Sequence, residues 1–329
     1  MPGRGGPSVF VVGSINQDYV LSVERRPKAG ETLTGASLAT HPGGKGANQA
    51  VAAALLGAPV AMLGRVGDDP AGASLRAGLA ARGVDTAAVQ AVPGAPTGAA
   101  FITVTPDGEN AIVVAPGANL RLGPGGVDAV AGAIRAAAVL VAQLEVPVET
   151  VERAVAVAAG AATLVVLNLA PPRPVPGDLL AGVDVLVVNQ HEAGFLLDRE
   201  VAGVEAAGRA AEELRRRGPR AVVVTLGASG AVLADGGGPD HAPAPRARVV
   251  DTTGAGDAFV GALAAKLARG APLREAVAQG VRAGAAAVEG VGAQGSFPTP
   301  SDLEAVHEPA APTAVSPPRP PPRRPWRGR

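Results

Sequence analysis

Cysteine is missing from all 329 residues, which excludes disulfides, a thiolate metal site and a cysteine nucleophile and makes a reducing, cytoplasmic setting the expectation. Lysine is nearly missing too, standing only at Lys28, Lys45 and Lys266. Where arginine supplies most of the positive charge, a surviving lysine marks a place for a compact point charge rather than a planar fork. Asparagine is confined to Asn16, Asn48, Asn110, Asn119, Asn168 and Asn189. Neither sign of charge is in excess, with 29 basic against 29 acidic residues, so the basic face that nucleic-acid binding needs is not expected. Long apolar runs are absent as well. Gly, Pro or charge interrupts each one, so no membrane span is expected, and Ser8–Val12 is too short for a signal-peptide core. The four histidines, His41, His191, His241 and His307, show no metal-ligand spacing.

What is present is a strand–helix alternation. Apolar runs at 9–12, 60–66, 139–143, 164–168, 185–189 and 221–225 read as buried strands. Helical patterns lie between or after them at 46–56, 71–81, 148–159, 204–217, 258–268 and 273–288, with another beginning near Val127. Continuous apolar strands alternating with helices indicate an α/β fold with a mostly parallel central sheet covered on both faces. Ligands bind such sheets at the strand C-terminal ends, where Asn168, Asn189 and Thr225 fall. Residues 17–34 read as one exposed hairpin. Residues 99–105 and 110–115 read as another, around Pro106-Asp107-Gly108-Glu109. Residues 309–329 are Pro- and Arg-rich, too poor in apolar residues to fold, and are expected to be a solvated tail beyond a single domain at 8–305.

Four motifs carry chemistry. Asp251-Thr252-Thr253-Gly254-Ala255-Gly256-Asp257 is a flexible turn feeding a helix that begins near Ala258. Free N–H groups of Gly254, Ala255 and Gly256 at the positive end of the helix dipole make an anion site. A carboxylate beside it, Asp257, suits a base facing an incoming hydroxyl, as phosphoryl transfer to an alcohol requires. A plain helix cap is the alternative. Gly43-Gly44-Lys45-Gly46-Ala47-Asn48 opens a helix with Lys45 and Asn48 on one face. It is not a Walker A loop, and no dinucleotide fingerprint follows the first strand. In Gly13-Ser14-Ile15-Asn16-Gln17-Asp18, Asn16 and Asp18 are suited to gripping sugar hydroxyls, an ordinary turn being the alternative. Asn189 and Glu192 have the spacing of a capping box, or of a polar pair near Mg²⁺ and phosphate. Thr225, Gly227 and Gly230 suit close backbone passage by a nucleotide, and Glu145 follows a strand end.

In this order and spacing the motifs resemble those of the ribokinase/PfkB-type family of carbohydrate kinases, over about 9–300. The resemblance implies a ribokinase-like α/β fold with a small β-sheet lid from about 15–42 and 97–117, which also pairs two subunits. It implies ATP-dependent phosphorylation of D-ribose at O5. Other furanoses such as deoxyribose or fructose, a nucleoside, or a non-catalytic sugar- or nucleotide-binding regulator are the alternatives. Asp257 would be the base, and the amides of Gly254, Ala255 and Gly256 would stabilise the transferring group. Asn16, Asp18, Gly44, Lys45, Asn48 and Glu145 would bind the sugar. Asn189, Thr225, Gly227, Gly230 and Gly256 would line the ATP site, with Glu192 near Mg²⁺. A K⁺ ion would be held by Asp251, Thr253, Ala287, Gly290 and Gly292, with Ser296 near. Val281 stands where relatives often place Asn or His beside the adenine, Gly290 replaces a frequent Arg, and His41-Pro42 precede the first glycine pair.

Overall fold

The computed structural model of this chain describes residues 8–106 and 110–305. The residues 107–109 of the second hairpin turn and the tail 309–329 lie outside the described residues. The elements run β1 (Val9–Val12), β2 (Asn16–Ser22), β3 (Ser37–Gly43), α1 (Lys45–Leu55), β4 (Val60–Gly67), α2 (Pro70–Ala81), β5 (Val84–Asp85), β6 (Val89–Val92), β7 (Gly98–Val104) and β8 (Asn110–Ala115). They continue with α3 (Pro124–Ala129), α4 (Ala131–Ala136), β9 (Val139–Gln143), α5 (Val148–Ala159), β10 (Leu164–Asn168), α6 (Gly177–Ala181), β11 (Val185–Asn189), α7 (Gln190–Leu197) and α8 (Gly203–Arg215). The chain closes with β12 (Ala221–Thr225), β13 (Ala231–Ala234), β14 (Pro239–Ala242), α9 (Ala255–Leu267), α10 (Leu273–Ala287) and α11 (Pro300–Ala305).

The large sheet has the order β14-β13-β12-β11-β10-β9-β1-β4-β5, with β6 also paired to β4. It is parallel except where β13 and β14 turn back. Successive side chains of a strand face opposite ways, and here both faces are covered. Val9 and Val11 therefore join the core under α1, α9 and α10, while Phe10 and Val12 join the core under α5 and α8. That double burial is why the strands read as unbroken apolar runs. Among the described residues no helix is long and apolar enough to cross a membrane.

A smaller sheet, β3-β2-β7-β8, stands off the large one. Here the hairpin expected within 17–34 is corrected. The second arm is β3, and 23–36, with Pro27 and Gly30, is only the connection. Main-chain pairing runs the full length from Asn16 opposite Gly43 to Ser22 opposite Ser37. The β3 sequence SLATHPG has no apolar alternation because most of it is exposed. A second correction concerns the helix that carries Asp257. It begins at Ala255, with Gly254 as N-cap at φ 78, not near Ala258. Glycine reaches this left-handed conformation without steric cost, so the helix starts as soon as the turn ends.

Candidate functional site

Asp257 lies in the first turn of α9, 8 % exposed, and two amides hold it. Asn48 Nδ2 donates to its Oδ2 at 2.9 Å, and Gln49 Nε2 donates to its Oδ1 at 2.9 Å. Both donors come from α1, and the two helices meet without slack. A Cβ on Gly261 of α9 would stand 2.5 Å from Ala52 Cβ and 2.7 Å from the Gln49 carbonyl oxygen, which is why that position is glycine. The start of α1 is packed as closely. A Cβ on Gly46 would lie 2.6 Å from the carbonyl carbon of Gly13, so the glycine-rich turn can rest on the end of β1.

Glu145 anchors this junction. Its Oε2 accepts from Ser14 Oγ at 2.5 Å and from the Lys45 backbone N–H at 3.1 Å. Asn16 is fixed from its own side, with Asn119 Nδ2 donating to its Oδ1 at 2.8 Å. Asp18, on the small sheet, packs over Gly43. Burial, helped by the charges of Glu145 and Asp257, pushes its carboxyl up to about 7. Burial also raises Asp257, against the pull of Lys45 and the two amides. Burial opposes the charge on Lys45, but Asp257, Glu145 and Glu192 outweigh it, so the ammonium is held above its usual range. One cation thus serves several carboxylates.

A cleft of about 470 Å³ opens from Asp257 and Lys45 across the C-terminal ends of β10, β11 and β12. Its wall includes Asn168, Asn189, Glu192, Thr225, Gly227, Gly254 and Gly256. Asn189 and Glu192 form the complete capping box of α7, each side chain bonded to the other's backbone N–H at 2.8 Å. Burial raises the Glu192 carboxyl, against that N–H bond and the nearby Lys45. The capping role is therefore real, and the Glu192 carboxylate still borders the cleft.

The structure redistributes some expected roles. Of the three expected anion donors, the Ala255 N–H turns to the Thr252 carbonyl at 3.3 Å, while Gly254 and Gly256 line the cleft. Asn48 is committed on both sides, to Asp257 and to Gln294, which donates to its Oδ1 at 3.0 Å. An amide nitrogen carries two hydrogens, so holding the carboxylate leaves the sugar contact expected of Asn48 open. Gly230 is required by the chain itself, because a Cβ there would stand 2.7 Å from the Ala244 nitrogen. Val281 is buried in the core, 5 % exposed, and does not line the cleft.

Asp251 joins the turn before α9 to the loop after α10. Its carboxylate accepts from the Thr253 N–H at 2.9 Å and the Gly292 N–H at 2.8 Å. Burial opposes its charge, yet the hydrogen bonds from Thr253 and Gly292 prevail and hold it below the usual carboxylate range. Ser296 Oγ donates to the Gly292 carbonyl at 2.7 Å, and the Gly290 N–H reaches the Ala287 carbonyl at 3.4 Å. Thr253, Ala287, Gly290, Gly292 and Ser296 therefore belong to one structural unit around Asp251. Among the described residues no group of three His, Cys, Asp or Glu is placed to hold a metal. Sequence reasoning missed Gln49, Gln143, Asn119 and Gln294. The signal for Gln49 and Gln143 was an amide at one end of an apolar run, and for Asn119 only the rarity of asparagine; Gln294, in Gly-Ala-Gln-Gly-Ser, carried none.

The pfkB family carbohydrate kinase profile matches residues 7–300. The chain belongs to that family. It is 40 % identical over 292 residues to a ribokinase of Haemophilus influenzae, covering 89 % of this chain and 95 % of the relative. It is 35 % identical over 292 residues to a deoxyribokinase of Salmonella typhi, covering 88 % and 95 %. A ribokinase of Arabidopsis thaliana, solved with ribose and ATP, superposes with a TM-score of 0.85 at 32 % identity, covering 92 % of this family member and 98 % of the Arabidopsis chain.

Proposed function

We propose that this protein transfers the γ-phosphoryl group of ATP to O5 of D-ribose, with Asp257 as the general base. The observation that carries this reading is the placement of Asp257. It is a buried carboxylate aimed by two amides, next to the Gly254–Gly256 turn, in one cleft with Lys45. The similarity to ribokinases along nearly the whole chain supports the same sugar. In this reading Asn16, Asp18, Gly44, Lys45 and Glu145 set the sugar, and Asp257 takes the proton from O5 as that oxygen attacks. A carboxyl raised by burial is a better proton acceptor near neutrality than a free aspartate. The N–H groups of Gly254 and Gly256 meet the charge on the transferring group where water is excluded. The nucleotide lies along Asn189, Thr225 and Gly227.

Two ions belong to the proposal. Mg²⁺ keeps much of its hydration, so Glu192 suits it through water, with the phosphates as the inner ligands. K⁺ needs an oxygen cage, and the Asp251 carboxylate, the carbonyls of Thr253, Ala287, Gly290 and Gly292 and the Ser296 hydroxyl are all oxygens. When bound, these ions neutralise phosphate charge and order the turn. The deciding experiment is ADP release with ribose, deoxyribose, hexoses and nucleosides in turn. Ribose is expected to give the highest kcat/KM. The deoxyribokinase similarity makes deoxyribose the competitor to measure beside it, and no sugar-dependent turnover at all would leave only the binding regulator.

Asp18 makes sugar affinity pH-dependent. Its folded-state pKa is raised, so its contribution to fold stability is present at low pH and is lost as pH rises through about 7. Sugar binding runs the other way, because an ionised carboxylate accepts hydroxyl hydrogens as charge-assisted bonds. The KM for ribose is expected to fall several-fold between pH 6 and pH 8, and Asp18→Asn to flatten that trend. A KM independent of pH in the wild type would remove Asp18 from the sugar contacts.

The small sheet serves, in this proposal, as a lid that also pairs two subunits. Its outer face carries an apolar row: Tyr19 stacks on Phe101 at 5.3 Å, and Leu38, Phe101 and Val113 are 62 %, 47 % and 69 % exposed. A contiguous apolar patch on a sheet standing off the body is the kind of surface that association covers. Phe101→Asp is expected to shift sedimentation from dimer to monomer. A wild type sedimenting as a monomer at micromolar concentration would end this part of the proposal.

A further inference from the structure

The amide of Gln49 is held from three directions, 1 % exposed, in a chain of side chains with a definite polarity. Asn168 Nδ2 donates to the Val187 carbonyl at 3.2 Å, and a carbonyl can only accept. Asn168 Oδ1 is thereby turned toward Gln49, whose Nε2 donates to it at 3.0 Å. Gln49 Oε1 in turn accepts from Gln143 Nε2 at 2.7 Å. With its oxygen tied to Gln143 and its nitrogen tied to Asn168, Gln49 has one orientation left, and in it the second Nε2 hydrogen points at Asp257 Oδ1. The flipped amide would set oxygen against carboxylate and lose all three bonds of Gln49. Gln143 Oε1 is buried beside Gly13 without a hydrogen-bond partner of its own among the described residues, so Gln143 acts on Gln49 through its Nε2 alone, and the polarity of the chain is set from the Val187 end.

We propose that Gln49 is a positioning residue for the base, fixed by Asn168 and Gln143, and that its N–H sets both the aim and the proton affinity of Asp257. The inference rests on the reading of Asp257 as the base. A carboxylate this deep would tend to take up a proton and lose its function. The Gln49 donor, with that of Asn48, favours the ionised form and leaves the remaining lone pairs turned to the cleft. Gln49 does not line the cleft itself and touches it only through Asp257 and Asn168. The charged groups around Asp257 are Lys45 at the start of α1, Glu145 after β9, Glu192 on α7 and Asp18 on β2. All of them remain in the variants below.

The test is the pH profile of kcat at saturating ribose and ATP, for the full chain and for Gln49→Glu and Gln143→Met. Gln49→Glu keeps the shape but removes the fixed donor and sets a second carboxyl on Asp257. Its kcat at neutral pH is expected to fall roughly tenfold to a hundredfold, the range of one lost hydrogen bond to a charged group. Its acid limb should move up by about one pH unit or more, while ribose affinity by calorimetry changes less than threefold. Gln143→Met removes only the orienting bond and should move the limb in the same direction by less. A role in packing alone would lower melting temperature without moving the limb. Acid limbs coinciding with that of the wild type would overturn the inference, while leaving Asp257 as the base if Asp257→Asn remains inactive. A fully active Asp257→Asn would instead overturn the reading beneath it.

Discussion

Asp257→Asn is expected to lower kcat by ~10²–10⁴-fold, the usual contribution of a positioned general base. The substitution keeps the volume of the side chain but removes its capacity to take a proton. It also has a local cost that the geometry makes explicit. Asp257 accepts an N–H from Asn48 on one oxygen and from Gln49 on the other. Asparagine puts an NH₂ group opposite one of those donors, so one hydrogen bond is lost, while the burial of a charge is relieved. These effects oppose each other, and the melting temperature is expected to move by only a few degrees. Ribose affinity by calorimetry should stay within a few-fold, because Lys45, Asn16 and Asp18 are untouched. Initial rates, calorimetry and thermal melts on one preparation check all three. A variant retaining half the wild-type kcat would remove Asp257 from the chemistry.

The second large effect concerns the K⁺ proposed at Asp251. In buffer free of Na⁺ and K⁺, activity is expected to be low and to rise saturably with KCl, at ionic strength held constant with a bulky organic cation. Asp251 binds the backbone of Thr253, one residue before Gly254, and the backbone of Gly292, after α10. An ion shared by this carboxylate and the neighbouring carbonyls would not touch substrate. Its effect would be to hold the Gly254 and Gly256 amides in place before the reaction, and donors fixed in advance stabilise a transition state more than donors that must first be ordered. The increase should therefore appear in kcat more than in KM. Asp251→Ala should abolish the response and lower activity at every KCl concentration, because it also unties the two loops. A flat KCl curve in the wild type would mean that packing alone orders the turn.

The central sheet was legible because strands buried on both faces show as unbroken runs such as Val9–Val12 and Val185–Asn189. The β3 strand was not, since an exposed strand held by main-chain bonds leaves no apolar signature, and SLATHPG reads as loop. The start of α9 was displaced because Gly256 and Asp257 carry the chemistry of a loop while occupying a helical turn. In the site, charged residues and glycine clusters drew notice from sequence. The glutamines behind them did not. Gln49 meets Gln143 across 94 residues and Asp257 across 208, and nothing local to either glutamine records such a meeting. Gly230 shows the converse case, a glycine expected beside the nucleotide whose lack of a side chain is also required by the passage of its own chain.

The glycine at 261 fixes more than a close contact. Lys45 and its amide neighbours ride on α1, and Asp257 rides on α9, so the separation of these two helices is the separation of cation and base. With Gln49 and Ala52 backed directly against Gly261, that spacing is a hard stop rather than a balance of soft side chains. A single added methyl group would push the helices apart while leaving each of them intact. Alignment of the site is therefore more fragile than either helix alone, because it depends on this contact staying bare.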